Sequence, residues 1–425
     1  MHDALPVRRP AAPASRAAPA PGEPGCPPAA GPAAAAPSGQ LPSGQLPAGP
    51  LRAGPLRSGI EARVQAELTR YLHRRRQECG TGAGADLADA LCDFVLRGGR
   101  RIRARFAWYG WAATGGATSS DTGSDTGSDT GSDTEGAARL PLLLGAALEL
   151  LHACALIHDD VMDGSGTRRG APALHEEFTR RHRATGRHGD PRPHGTAHAV
   201  LAGDLALVWA EDLLTSACAH DEAAGRRLRV PWRALRTELV TGQALDLRLE
   251  ADRSDSPAAA LRAAELKTAR YTVERPLHLG AAAAGADAAQ VTALRAFGRR
   301  VGLAFQLRDD LLGVYGDPRV TGKPNGDDLR AGKRTYLVTV ALAAARHRGD
   351  RAAEDELHRL LAAPAPDAPA LDRFRDLLAA LGAVRTVEQR IARLTDDGRR
   401  LLATARLDPA AAAALDDLAA AIVRG

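Results

Sequence analysis

The 425-residue chain has few aromatic residues, few cysteines and no long apolar run, and each shortage excludes a class of protein. Tryptophan, tyrosine and phenylalanine make up only 4% of the residues, too few for a surface that stacks nucleic-acid bases. No uninterrupted apolar stretch reaches the roughly 18 residues that a membrane-spanning helix needs. We therefore expect neither a nucleic-acid partner nor a transmembrane segment.

The five cysteines exclude two further kinds of site. Their number is odd and no two form a CxxC pair, so the sequence predicts neither a disulfide framework nor a zinc site. The N-terminal segment is broken by prolines where a signal peptide would have its apolar run. These features favour a reducing, cytoplasmic location.

Two segments of low complexity divide the chain. Residues 1–57 are dominated by Ala, Pro, Gly and Ser, a composition too poor in large apolar side chains to offset chain entropy, so we predict a disordered tail. The segment 115–137 repeats an SDTG unit of turn-forming residues and is predicted to be a flexible insertion. The rest of 58–425 is predicted to form one domain with a sizeable core, since 44% of the chain is apolar.

Helical periodicity dominates this domain. Apolar residues recur three and four positions apart, hardly any stretch alternates with period two, and β-branched residues are few. We therefore predict an all-α fold, a single large helical bundle. The helices predicted after the insertion cover 139–163, 197–219, 231–250, 258–284, 288–316, 333–348, 352–363, an interrupted 368–403, and 408–424.

Two aspartate-rich motifs stand at the ends of apolar helical runs. HDDVMD carries Asp159, Asp160 and Asp163, and FQLRDD carries Asp309 and Asp310. Residues four apart share a helix face, so the first and third aspartates of HDDVMD should point the same way. One such cluster alone is equally typical of a solvated helix end. Carboxylates are, however, preferred Mg²⁺ ligands beside substrate phosphates, so two facing clusters would hold a metal-bound diphosphate.

Basic residues that would neutralise such a diphosphate flank the same turns. Arginine suits this purpose because its planar guanidinium binds two oxygens at once. Taken singly, each basic residue is more typical of a solvated surface, and only the set as a whole indicates a site. The set comprises the arginines of 97–105, Arg168, Arg169, Lys267, Lys323, Lys333 and Arg334.

Five ordered motifs resemble those of the trans-isoprenyl diphosphate synthase (polyprenyl synthetase) family, from about residue 60 to the C-terminus. They are GGRRIRA, LIHDDVMDGSGTRRGAPALH, GQALDL, KTARYTVERP and FQLRDDLLGVYGDPRVTGKPNGDDLRAGKRT. The resemblance implies the isoprenoid synthase type of bundle, built around a central cavity. It also implies a prenyltransferase that condenses isopentenyl diphosphate with an allylic diphosphate, and a homodimer.

The resemblance also implies which residues hold the allylic diphosphate. Several Mg²⁺ ions, with Mn²⁺ as an alternative, would be held by the five aspartates of the two acidic motifs. Arg168 would contact the same diphosphate, and Lys323 and Lys333 would close over it as it departs. Metals and lysines placed there would stabilise the anion that develops when the allylic bond ionises.

The second substrate would lie on the other side of the reacting carbons. By the same resemblance, isopentenyl diphosphate would be held by Arg100, Arg103, His152 and Arg169. The residues implied to line the reacting carbons are Lys267, Thr268 and Gln306. Gln243 and Asp246 share a helix face, and the resemblance suggests that they support Lys267 or the metal site, although a core hydrogen bond would explain them equally well.

Three positions depart from the family pattern. The second acidic motif has Gly313 where many relatives have a third aspartate, which leaves its number of metal ligands open. Asp317, or Asp327 and Asp328, are candidates to replace it. The first glycine motif has arginine at position 100 in place of lysine and Ala104 in place of proline, but it keeps its charge.

Product length in this family depends on the residues before the first aspartate. Here Cys154 and Ala155 are small, and Leu151 and Leu148 follow at intervals of roughly one helical turn of 5.4 Å. We therefore expect growth beyond fifteen carbons, to geranylgeranyl diphosphate, with Leu151 or a residue of another helix as the pocket floor. Alternatively, the small side chains only allow close helix packing. Farnesyl and longer polyprenyl products remain alternatives.

Two other functions use the same architecture. A class I terpene synthase would need a second motif of the NDxxSxxxE kind, whose serine and glutamate positions here hold Gly313 and Asp317, and it would steer cations with more aromatic faces. A non-catalytic partner subunit should have lost aspartates from its acidic motifs, whereas the two motifs here keep five. The histidine-containing segment 180–198 is predicted to be a solvated loop, and Gly203 is predicted to serve helix packing.

Overall fold

The described part of the chain is almost entirely helical, which confirms the predicted all-α class. The computed structural model describes residues 59–116, 131–219, 221–316, 326–363 and 366–424, except for the side chains of 131–137 and 327–328. The predicted tail 1–57 and residues 117–130 of the predicted insertion lie outside the described residues.

Sixteen α-helices account for most of the described residues. They are α1 Ile60–Glu78, α2 Ala83–Leu96, α3 Ile102–Trp111, α4 Gly131–Met162, α5 Leu174–Ala184, α6 Pro191–Cys218, α7 Glu222–Ala251, α8 Pro257–Ala264, α9 Arg275–Ala284, α10 Ala288–Tyr315, α11 Asp327–Arg330, α12 Tyr336–Arg348, α13 Arg351–Leu361, α14 Ala368–Ala380, α15 Ala383–Thr404 and α16 Pro409–Arg424. A π-helical turn, Ala112–Gly116, follows α3, and a longer π-helix, Glu265–Glu274, joins α8 to α9. The two short strands β1 Thr167–Arg168 and β2 Ala171–Pro172 form an antiparallel hairpin between α4 and α5.

Helix α4 lies in the core of the bundle. Leu144, Leu148, Leu150 and Leu151 are fully buried, and α6, α3 and α1 pack around the helix. Within the described residues its segment Ala138–Met162 is long and apolar enough to cross a membrane by length and composition, with a mean hydropathy of 2.0. Within this segment, 72% of the most apolar 18-residue stretch is buried inside the protein, as expected of a core helix.

The segment 180–198 differs from the predicted loop. Helix α5 runs to Ala184 and α6 already begins at Pro191, so only the residues between them form a connection. The carboxylate of Asp190 accepts the backbone N–H of Arg192, and proline fixes the first helical position. These capping signals are present in the sequence and should have placed the helix start earlier.

The predicted helix 258–284 is interrupted by the ten-residue π-helix. Two glycines of α10 and one of α7 let the neighbouring backbones approach it closely: a Cβ atom at Gly242 would lie 2.5 Å from Lys267 N, and one at Gly302 would lie 2.5 Å from the carbonyl oxygen of Ala269. At Gly298 it would lie 2.7 Å from the Cα atom of Glu274. The π-helix is therefore held between α7 and α10, and its position depends on both.

Candidate active site

The first acidic motif meets two lysines from distant parts of the chain. Nζ of Lys267, on the π-helix, lies 3.0 Å from Oδ1 of Asp159 and 2.7 Å from Oδ2 of Asp246 on α7. Nζ of Lys333, between α11 and α12, lies 2.7 Å from Oδ2 of Asp163. Burial alone would raise the pKa of Asp159, but the two ammonium groups outweigh it and hold the pKa below its usual value.

Asp160 has a different environment on the same helix. Its Oδ1 accepts Nε of Arg168 at 2.8 Å, and the same guanidinium donates a second bond through Nη2. Its Oδ2 is buried and has no hydrogen-bond partner among the described residues. Burial raises the pKa of Asp160 despite the arginine. The structure therefore leaves one carboxylate oxygen of this motif open.

The second acidic motif lies on α10. Nε2 of Gln306 donates to Oδ1 of Asp310 at 2.7 Å, whereas Asp309 is exposed. The backbone N–H of Gly326 donates to the carbonyl oxygen of Gly313 at 3.3 Å, so the chain that leads into α11 returns to the position of the missing third aspartate. The predicted residues Lys323 and Asp317 lie outside the described residues, as do the side chains of Asp327 and Asp328.

The helices that carry the two motifs pack mainly on different neighbours. In the described chain, α4 packs mainly on α6, α3 and α1, while the π-helix packs on α7 and α10, and the side chain of Lys267 joins the π-helix to Asp159 on α4. Thr268 is half-buried beside Lys267 on the π-helix. The structure thus brings Asp159, Asp163, Lys267 and Lys333 into contact, and it places Gln306 and Asp310 further along the helix that supports the π-helix.

A second group of basic side chains surrounds His152, which lies on α4 about two helical turns before Asp159. Nη2 of Arg103 donates to Oγ1 of Thr272 at 3.0 Å, and its guanidinium carbon lies 4.2 Å from the Tyr271 ring centroid. The rings of His152 and Tyr271 are 6.1 Å apart. Burial, followed by the charge of Arg103, lowers the pKa of His152 well below its usual value, and its Nδ1 lacks a partner among the described residues.

Two other predicted arginines belong to the turns around this group. Arg169 donates through Nη1 to the carbonyl oxygen of Gly98, and its positive φ of 53° is unusual for a residue with a side chain. Its guanidinium lies against Gly99, where a Cβ atom would come within 3.0 Å. The guanidinium carbon of Arg100 lies 5.8 Å from the Phe305 ring centroid on α10. The glycine-rich turn is therefore joined both to the β-hairpin and to α10.

Arg101, which belongs by sequence to the arginines predicted to neutralise a diphosphate, instead anchors this turn, and the pair it forms was not predicted. Arg101 is buried and donates to Oε2 of Glu149 on α4 at 2.9 Å and to the carbonyl oxygen of Val95 at 3.0 Å. A buried acidic residue in the apolar run before HDDVMD was the signal that could have revealed this pair, because buried charges are usually paired.

The residues predicted to control chain length lie on different sides of α4. Ala155 is half-buried and shares a side with His152 and Asp159, from which it is three and four residues distant. Cys154 is buried, and its Sγ lies 3.8 Å from Nδ1 of His158, a ring that fills the space above Gly203 on α6. Leu151 is fully buried. Ala155 is therefore the member of this set that faces the site, and Gly203 has the predicted packing role.

The carboxylates of the first motif fit a hard divalent cation. Asp159 and Asp163 already neutralise positive charge from two lysines, and Asp160 has an open buried oxygen. Within the described residues, no three acidic, histidine or cysteine side chains form a closed group that could hold a metal ion by themselves. Mg²⁺ is usually bound by one or two carboxylates together with substrate phosphates, so a site for it would be completed by the substrate.

A helical bundle that brings acidic side chains together with lysines and arginines is suited to binding diphosphate esters and the metal ions that accompany them. The polyprenyl synthetase family model matches residues 85–366, and the chain belongs to that family. This confirms the resemblance inferred from the five motifs.

Characterised relatives extend the comparison. A geranylfarnesyl diphosphate synthase of Aeropyrum pernix is 35% identical over 57% of this chain and 76% of its own length. A geranylgeranyl diphosphate synthase of Mycobacterium tuberculosis is 38% identical over 52% of this chain, but the match spans only 57% of that relative. The crystal structure of geranylgeranyl pyrophosphate synthase from Corynebacterium glutamicum, complexed with isoprenyl diphosphate and magnesium, matches with a TM-score of 0.78 at 38% identity, covering 86% of this chain and 98% of that one.

Proposed function

We propose that the protein is a prenyl diphosphate synthase that joins isopentenyl diphosphate to an allylic diphosphate and makes geranylgeranyl diphosphate. The observation that carries this proposal is the presence of two separate clusters of charged and polar side chains on one side of α4, each of which would bind one diphosphate. Asp159 contacts Lys267, and His152 lies near Arg103 and Tyr271. Seven residues along a helix correspond to roughly 10 Å, which separates two diphosphates that must not repel each other at contact.

The acidic site binds the allylic diphosphate in this proposal. Asp159, Asp160, Asp163, Asp309 and Asp310 would hold Mg²⁺ ions, which neutralise the departing diphosphate when bound. Arg168, already bonded to Asp160, would also donate to a phosphate oxygen. Lys267 and Lys333 exchange their present carboxylate partners for the diphosphate. Lys323 follows from the family motif alone.

The basic site binds isopentenyl diphosphate. Arg103, Arg169 and Arg100 supply positive charge, and His152 remains neutral and donates or accepts a hydrogen bond. Each arginine is already oriented by a carbonyl, hydroxyl or ring contact, so little side-chain order is lost on binding.

The chemical step then needs no protein nucleophile. The allylic C–O bond breaks and the diphosphate leaves with the electron pair, while oxygens of Thr268 and Gln306 stabilise the allylic cation and protein excludes water. The double bond of isopentenyl diphosphate attacks that carbon. The proton lost from the adjacent carbon goes to the released diphosphate.

Product length is proposed from Ala155 and from the relatives. The side chain of Ala155 is small and half-buried, so a growing prenyl chain would pass it along the face of α4 that leads away from Asp159. Relatives named as geranylgeranyl synthases support this product, although farnesyl diphosphate synthases of Mycobacterium tuberculosis match equally well at 38% identity. We also propose a cytoplasmic location, which the four free cysteines of the described chain support.

Product analysis tests the proposal. The purified protein is incubated with Mg²⁺, radiolabelled isopentenyl diphosphate and dimethylallyl, geranyl or farnesyl diphosphate, and labelled products are sized by chromatography. We expect a labelled twenty-carbon diphosphate from each primer and loss of roughly 100-fold or more of turnover in Asp160→Asn. A terpene cyclase would consume no isopentenyl diphosphate, and a partner subunit would show no turnover alone. Either outcome contradicts the proposal.

A further inference from the structure

Besides the close approach of α7 and α10 to the π-helix that carries Lys267, the side chain of Arg270 contacts both Glu265 within this π-helix and Glu238 on α7. We propose that Arg270 is a positioning residue, which keeps the segment 265–274 in π register and thereby places Lys267 between Asp159 and Asp246. The inference rests on the proposed function, because it concerns how Lys267 reaches the allylic diphosphate.

The spacing of the contacts indicates the register. Nε and Nη2 of Arg270 donate to the same carboxylate oxygen of Glu265, five residues earlier, at 2.9 and 2.7 Å. In an α-helix, residues five apart are rotated by roughly 140° about the axis and do not face each other. In a π-helix, whose bonds join residue i to i+5, they do. The backbone agrees, since N–H of Arg275 donates to the carbonyl oxygen of Arg270.

Helix α7 fixes the same arginine from outside. Glu238 accepts Nη1 of Arg270 at 2.8 Å, Gly242 lies four residues on and admits the Lys267 backbone, and Asp246 lies a further four residues on and accepts the Lys267 ammonium at 2.7 Å. Three positions on successive turns of α7 thus contact the π-helix: the first binds Arg270, the second admits the backbone, and the third binds Lys267. Only the first of them acts through Arg270.

The partners of Arg270 keep other cations when it is removed. Glu238 is also bonded to Arg275 at 2.6 Å. The buried Glu274, whose Oε2 lies 3.9 Å from Nε of Arg270, is bonded to Arg295 at 2.9 Å. Glu265 retains Arg262, three residues before it, at 3.2 Å. Loss of the Arg270 charge therefore leaves no buried carboxylate uncompensated, so the change should alter register more than it alters overall stability.

Arg270→Gln tests the assignment, with Arg262→Gln as matched control because it removes a different arginine from the same carboxylate at ordinary α-helical spacing. We expect kcat to fall roughly 100-fold in Arg270→Gln, as when a reacting group is misplaced by about 1 Å, with the KM of isopentenyl diphosphate unchanged because it binds at the other site. The control should keep wild-type kcat. In a Lys267→Ala background, Arg270→Gln should lower kcat no further, because both changes act through one group.

Hydrogen exchange separates this inference from the proposed function. Amides of 265–274 should exchange faster in Arg270→Gln than in the wild type or the control, whatever the reaction catalysed. Unchanged exchange, or equal and additive losses of kcat in the two backgrounds, would overturn the inference even if the wild type elongates prenyl chains. If Arg270→Gln folds poorly, Arg270→Lys keeps the charge without the two-pronged contact and is subject to the same comparisons.

Discussion

Glu250 lies on α7 one helical turn beyond Asp246 and senses the charges of the acidic site. Burial raises its pKa to about 7, and the negative charges of Asp246 and Asp163 add to the shift, while Lys333 and Lys267 oppose it. The carboxyl group is therefore half-protonated near neutral pH without ligands. The protonation of Glu250, which belongs to none of the five motifs, thus depends on the negative charge of the acidic site.

The pH dependence of stability follows from this shift. The unfolded chain releases the Glu250 proton near the ordinary pKa of 4.5, but the folded protein keeps it until about pH 7. The contribution of this residue to stability therefore falls as pH rises from 4.5 to 7. In EDTA, we expect the Tm of Glu250→Gln to equal that of the wild type at pH 4.5 and to exceed it at pH 8. In the control, the exposed Glu388→Gln, the difference in Tm from the wild type should not change with pH. A difference in Tm that is the same at both pH values in Glu250→Gln would contradict the assignment.

Ala155 provides the second prediction at this scale. Ala155→Phe should stop elongation early and shift the main product from twenty to fifteen carbons, because the ring would fill the space beside His152 and Asp159. Chromatographic sizing of products from dimethylallyl diphosphate measures the shift, and Ala155→Ser serves as a control of similar size. A twenty-carbon product from the phenylalanine variant would show that the chain grows along another face.

At the scale of elements, the π-helix depends on close approach to its neighbours. Gly242 on α7, and Gly298 and Gly302 on α10, lie where a Cβ atom would meet backbone at 2.5 to 2.7 Å. Backbone atoms cannot move aside as flexible side chains do. The two helices therefore set the position of the π-helix, and with it the positions of Lys267 and Thr268.

Gly242→Ala should both destabilise and inactivate the protein. The added methyl group would press on Lys267 N and Cα, and such overpacking costs about 1–3 kcal/mol in urea unfolding. Activity should fall further than the lost stability explains, because the π-helix shifts at the lysine itself. Gly84→Ala is the control: its Cβ would meet only the carbonyl oxygen of Cys79 at 3.4 Å, so it should be neutral or stabilising by up to about 1 kcal/mol. Equal activity in both variants would contradict the prediction.

The sequence predicted element type better than element boundary or register. Apolar periodicity and the motifs identified α4, α10 and the acidic residues, because those signals are local. The π-helix escaped detection because part of its support comes from Gly242, Gly298 and Gly302, which are distant in sequence from Glu265–Glu274. For the Arg101–Glu149 pair, the sequence held half of the signal: Glu149 in an apolar run indicates a buried, paired charge, but its partner lies 48 residues away. The start of α6, by contrast, could have been predicted, because its cap Asp190 and its first residue Pro191 are adjacent in the chain.

At the scale of the whole molecule, the described surface is uneven in its apolar exposure. Six of its eight exposed large apolar residues lie on α6 and α7: Val200, Leu201, Val208, Val230, Val240 and Leu247. Scattered apolar residues need no explanation, but concentration on two helices indicates an association surface. The residues opposite them on α6, such as Ala206 and Trp209, are buried, so both sides of this helix are apolar.

We expect a second copy of the chain to cover this surface, as the family resemblance implied, because self-complementary apolar patches favour two-fold dimers. Light scattering after size exclusion should give twice the chain mass for the wild type, and Val208→Glu combined with Val240→Glu should give the monomer, since each buried unpaired carboxylate opposes association. Glu388→Gln, an exposed change away from α6 and α7, should leave the dimer intact. A monomeric wild type, or a dimer that survives both glutamates, would exclude this surface. Because α7 also carries Glu238, Gly242 and Asp246, a monomeric variant that loses activity as well would indicate that the interface steadies the helix that aligns the π-helix.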